Sequence, residues 1–203
     1  MTTPATTPAF DITYENVDSP FIRSCFEETL LGYPELAPHK LVLRQHSMPK
    51  HNMRAQPILN GSIFRRARRG FRLEISNHIS FSEHIDMDEL PRDVLVGWLA
   101  HELGHVKDYL TRSIGNMIAF GIAYATMPTF VTGAERRADL YAIEAGFARQ
   151  IQATKKYILS HSTLPDSYKQ KIERYYMSPD EVALLIEQQE EIVSFHDKDA
   201  IKD

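Results

Sequence analysis

The chain of 203 residues has one cysteine, Cys25. An intramolecular disulfide is excluded. So is a zinc site built on thiolates, which needs several of them or a Cys/His mixture. Any bound metal must be held by imidazole and carboxylate, and nine histidines are present. Residues 1–9 lack the basic n-region and apolar h-region of a secretory signal. They read as part of a disordered lead-in over 1–15, and a reduced, cytoplasmic setting is the expectation. The net charge is only -4, so no general attraction to nucleic acid or to an anionic membrane follows. Internal repeats are missing. A clear membrane span is missing too. The nearest approach is the uncharged run of 22 residues from Ser113 to Ala134, broken by Asn116, Thr126, Pro128, Thr129 and three glycines. It reads first as buried core joining two helices. The alternative is a peripheral contact with a membrane or partner through 113–134.

What is present suits one compact domain: 43% of the residues are apolar, enough for a core. Ser19-Pro20 followed by Phe21, Ile22, Phe26 and Leu30, then Gly32, predicts a capped helix. Lys40 to Gln45 reads as a strand, and 46–59, with Pro49 and Pro57, as loop. Residues 62–65 and 71–76 predict a hairpin, with Phe71, Leu73 and Ile75 on one face. Helix then dominates. Predicted helices run from Pro91 to about Leu110, from Thr132 toward Ser160, and from Pro165 to near Met177. A last helix opens on the capping-box pattern Ser178-Pro179-Asp180-Glu181. The expected fold class is α+β: a small sheet over two ligand-bearing helices, spanning 16–160, with 161–203 as a helical segment packed on that domain.

The chemistry lies at 101–105, His-Glu-Leu-Gly-His. On a helix, i and i+4 share a face one turn apart, so His101 and His105 can reach one ion. Glu102 then sits where it can take a proton from a metal-activated water. About 0.03 such matches are expected by chance in a chain of this length and composition. A catalytic zinc needs a third protein ligand and an open position. Glu135-Arg-Arg-Ala-Asp139 supplies a candidate: Glu135 as ligand, with Asp139 one turn on to accept from the far nitrogen of a ligating histidine. Thr132 and Glu135 alone would also fit a helix-capping box.

These two motifs together, His101-Glu102-x-x-His105 and Glu135-x-x-Ala138-Asp139, resemble the gluzincin metallopeptidases. The likeness is to the HtpX-like and CAAX-prenyl-protease groups, and closer to the soluble minigluzincins; it covers roughly 60–145. The resemblance implies a zincin-like fold and one Zn2+ held by His101, His105 and Glu135, with Glu102 as general base and Asp139 behind a ligand. It also implies a peptide or protein substrate laid along a sheet edge, for which Phe71–Ser76 is the expected strand. The chain departs from the HtpX-like proteins in lacking clear spanning helices, which removes the ground for a prenylated substrate. Small gluzincins can be held latent by their own C-terminal segment, so the resemblance leaves two readings of 160–203: part of it lies over or beside the cleft, or its helices complete the hydrophobic core.

Other features stay open. An oxyanion-stabilising residue could be His161, Tyr168, Arg174, Tyr175 or Tyr176. Arg65-Arg66-Ala67-Arg68-Arg69 reads as a solvated hairpin tip, or as a site for acidic groups. His39, His46, His51, His78, His84, His161 and His196 show no ligand spacing. Two function classes follow. One is a zinc metallopeptidase; the other is a silent or latent zinc-binding regulatory or interaction protein on the same fold. Glu102 favours the first, since a structural site has no use for it. The negative net charge and the lack of a broad basic face argue against a nucleic-acid partner.

Overall fold

A computed structural model describes residues 8–49, 51–79 and 85–200. Its chain order is β1 (Asp11–Glu15), α1 (Pro20–Leu30), β2 (Lys40–Gln45), β3 (Met53–Pro57) and β4 (Phe71–Ile75). The helices α2 (Arg92–Thr111), α3 (Ile114–Thr126), α4 (Pro128–Ala142), α5 (Ala148–Ser160), α6 (Asp166–Tyr175) and α7 (Pro179–Ala200) follow. The class is α+β, with one mixed sheet in the order β1-β2-β4-β3. β2 runs parallel to both β1 and β4, while β3 is antiparallel to β4.

Register separates the two faces of the sheet. Ile12, Tyr14, Leu41, Leu43, Phe71, Leu73, Ile75, Met53 and Ala55 share one face and join the core. The other face carries a ladder of charge: Glu15 pairs with Arg44, and Glu74 with Arg54 at 2.5 Å. Alternating residues point to opposite faces, so this sheet needs helices on one side only. There α1 buries Ile22, Cys25, Phe26 and Leu30, and α2 lies against α1, β3, α4 and α5. Buried on nearly every side, α2 carries no polar stripe along its middle turns: Val94 through Val106 are all buried.

Several expectations change. Disorder does not extend to residue 15, because Asp11–Glu15 is a strand paired with β2; residues 1–7 of that expected lead-in lie outside the described residues. The stretch read as loop contains β3. No hairpin forms from 62–65, which is a 3-10 turn, and β4 pairs instead with β2 and β3. The helix expected from Thr132 to Ser160 starts earlier, at Pro128, and is broken at Gly146. That residue has φ 95°, a left-handed conformation that glycine adopts without steric cost. Thr132 is therefore inside α4 and caps nothing; its hydroxyl turns back to the Pro128 carbonyl. The capping box at Ser178 does form, with Ser178 N–H donating to Glu181 and Glu181 N–H to Ser178 Oγ.

The uncharged run is not buried core. It forms α3 and the first turns of α4, and Ile118, Ile122, Tyr124 and Met127 on it are exposed. Among the described residues no single helix is long and apolar enough to cross a membrane.

Candidate metal centre

α2 and α4 cross at Gly104. A Cβ there would run into the Ala138 carbonyl oxygen, so only glycine lets the two backbones come this close. The close approach sets the His101–His105 turn of α2 beside the Glu135–Asp139 turn of α4. The two imidazole rings lie 4.8 Å apart and perpendicular. His101 Nε2 is 3.0 Å and His105 Nε2 3.4 Å from Glu135 Oε2. One ligand atom from each of the three residues falls within 4.8 Å of the others, and all three residues are buried. The donor chemistry fits a metal ion: two imidazole nitrogens and a carboxylate oxygen converge from buried side chains.

Electrostatics follow from that burial. Burial works against charge on His101, but its hydrogen bonds and charge pairing with Asp139 and Glu135 outweigh it, raising the imidazole to about 10. Glu135 is pushed up by burial, yet the two imidazoles hold it far below the usual carboxylate range. Glu102 goes the other way: burial raises it, the two imidazoles only partly offset this, and Glu135 adds to the rise. The backbone N–H of Ala55 bonds its carboxylate.

Asp139 is a hub. Its Oδ1 lies 2.9 Å from His101 Nδ1, and its Oδ2 accepts from the Met177 backbone N–H at 3.1 Å and from Lys155 Nζ at 2.8 Å. Lys155 is itself buried and sits over the Tyr176 ring, which lies against His101. Burial disfavours the Asp139 carboxylate, but the Lys155 charge and the His101 bond hold it below its ordinary range.

The site opens into a cavity of about 570 Å³. Its roof is α3, whose Tyr124 hydroxyl donates to Glu135 Oε1. Its far wall is α6. Of the five residues considered for oxyanion stabilisation, Tyr168, Tyr175 and Tyr176 line the cavity, and His161 and Arg174 are not among its lining residues. The C-terminal segment thus divides: α6 borders the cavity, while α7 packs on α5 and none of its described side chains lines the cavity. The open edge of the sheet beside the cavity is β3, not the expected Phe71–Ser76, because β3 takes the outer place next to β4. Asn52–Ser76 and Ile58–Gly70 are hydrogen-bonded pairs. By the antiparallel alternation, the backbone groups of Met53 and Ala55 therefore face outward.

Sequence reasoning missed Tyr124, Lys155 and the β3 edge. The Arg65–Arg69 cluster also divides. Arg69 is buried and bonds the carbonyls of Ile63, Tyr109 and Arg112, whereas Arg65, Arg66 and Arg68 are exposed. Compared with known protein families, curated proteins and solved structures, the chain matches none.

Proposed function

We propose that this chain is a zinc-dependent metallopeptidase on a zincin-like fold. The observation that carries the reading is the convergence of His101, His105 and Glu135 next to a buried, ionisable Glu102 on the same cavity. Zinc bound there would activate water and polarise a peptide carbonyl. The residues of the chain do the rest. Asp139 accepts from His101 Nδ1, which fixes the tautomer and leaves Nε2 free to ligate. Glu102 takes a proton from the attacking water on its carboxylate and passes it to the leaving amine. Its burial supports this role, since a base raised above the ordinary carboxylate range is nearer the operating pH. An extended peptide would bond the outward backbone groups of Met53 and the carbonyl of Ala55 on β3, the Ala55 N–H being held by Glu102. Tyr168, Tyr175 and Tyr176 line the same cavity and are the candidates for holding the oxyanion.

The test joins metal analysis to digestion of a peptide library. Purified protein should carry one zinc per chain. Glu102→Gln should keep that zinc and lose about two to four orders of magnitude in cleavage rate. Equal cleavage by the two proteins would remove Glu102 from the mechanism. Full zinc with no cleavage by either would favour the silent zinc-binding protein.

A further inference from the structure

α3 exposes an unusual surface for a chain rich in charge. Its outer stripe runs through Ile118 and Ile122, 61% and 62% exposed, and continues to Met127 at 56%. No charged side chain occurs between Arg112 and Glu135. A solvated helix face would carry charge; this one is apolar, and among the described residues nothing covers it.

The arginine-rich turn stands next to it. Arg66 donates to the carbonyl of Thr111, and Arg69 to that of Arg112, both at the junction of α2 and α3. Arg112 in turn lies over the Phe120 ring of α3. The turn is thereby clamped to the start of α3, leaving Arg65, Arg66 and Arg68 exposed. The same turn carries Phe64, 73% exposed, and Leu59 precedes it at 83%. Residues 57–73 and 109–134 together contain six arginines and no aspartate or glutamate, in a chain with 27 acidic residues.

We infer that this face, α3 with the 59–68 turn, docks on an anionic lipid bilayer. Bulky apolar side chains beside arginines match an interface where the first enter the acyl boundary and the second meet headgroup phosphates. A second copy of the chain fits poorly, because pairing this face with itself would bring the arginines together. Nucleic acid would leave the isoleucines and Phe64 without a use.

The experiment is co-sedimentation of the full chain with vesicles of phosphatidylcholine alone and of phosphatidylcholine mixed with phosphatidylserine. Binding is expected only to the mixed vesicles and should weaken as salt rises. Replacing Arg65, Arg66 and Arg68 with Gln should lower the affinity by roughly a hundred-fold, at about ten-fold or less per arginine. Because Arg66 also bonds Thr111, the Arg65→Gln/Arg68→Gln protein serves as the variant that keeps this contact. Ile118→Ser with Ile122→Ser should also release the protein, while its melting temperature stays near that of the parent. No binding to the mixed vesicles, or binding unaltered in the arginine or isoleucine variants, would overturn the inference. So would concentration-dependent self-association through the same residues, seen by sedimentation velocity.

Discussion

The floor and the roof of the cavity are built in contrasting ways. The floor, where α2 meets α4 and α5, is held by buried charge: Asp139 is fully enclosed and bonded to His101, Lys155 and Met177, and backbone meets backbone at Gly104. The roof, α3, is held by a few side chains. Phe120 packs on Tyr109 and Phe130, and Tyr124 reaches Glu135. Met117 and Gly121 also line the cavity, while Ile118 and Ile122 face outward. A ligand set must be fixed before the ion arrives, or binding is spent on ordering it. A cover must be able to yield, and such elements come from the less stable parts of a fold. The same cavity thus has one wall suited to preorganisation and another suited, under the proposed function, to admitting a substrate.

The largest test of that contrast is Lys155→Met. It removes from the buried Asp139 carboxylate the Lys155 cation, leaving His101 as its one remaining charged partner among the described residues. Breaking a buried pair by removing one partner costs about 3–5 kcal/mol, which urea denaturation of the metal-free protein would read. A loss below 1 kcal/mol (roughly the value of an exposed pair) would mean that the floor is not held as described. Gly104→Ala should cost about 1–3 kcal/mol despite the better helix propensity of alanine, because the added methyl meets a backbone carbonyl that cannot turn aside. It should also weaken metal binding by pushing α4 away, and a competition titration measures that separately from stability.

Tyr124→Phe probes the roof. Removing one hydrogen bond should cost only about 1 kcal/mol and leave metal binding nearly intact. Hydrogen exchange in α3 should quicken while exchange in α2 and α4 does not. Equal quickening in all three would erase the distinction between floor and roof. The smallest effect is expected outside the cavity. The Arg136 and Ser178 hydrogen bonds hold the Glu181 carboxyl at about 2, below its usual 4.5. A depressed carboxyl contributes stability above its usual value, and that contribution is lost as pH falls from 4.5 toward 2. Both partners are more than a third exposed, so solvent screens the pair. Looser exchange protection at the start of α7 in that window, removed by Glu181→Gln, is the expected sign.

How much could be read from sequence depended on the range of the interaction. The His101–His105 and Glu135–Asp139 pairs were legible because helix geometry alone puts i and i+4 on one face. The Ser178–Glu181 box was legible for the same reason: its bonds close within one turn. β1 and β3 were not. Their hydrogen bonds go to distant segments, and short sequences such as Met-Arg-Ala-Gln-Pro carry little pattern of their own. The α3 run misled because an apolar stretch predicts burial on average, while whether anything covers it is decided by the neighbours it meets.

The sequence by itself determined the candidate metal-site pairs, the helical character of the second half and the exclusion of a thiolate site, all of which follow from spacing and composition. Only the tertiary structure decided which strand forms the open edge beside Glu102, that Lys155 stands behind Asp139, and that Tyr124 closes over Glu135. Each of these joins residues far apart in the chain through packing of whole elements. Such packing minimises exposed apolar area and unpaired buried charge over the molecule at once, and no local spacing records it.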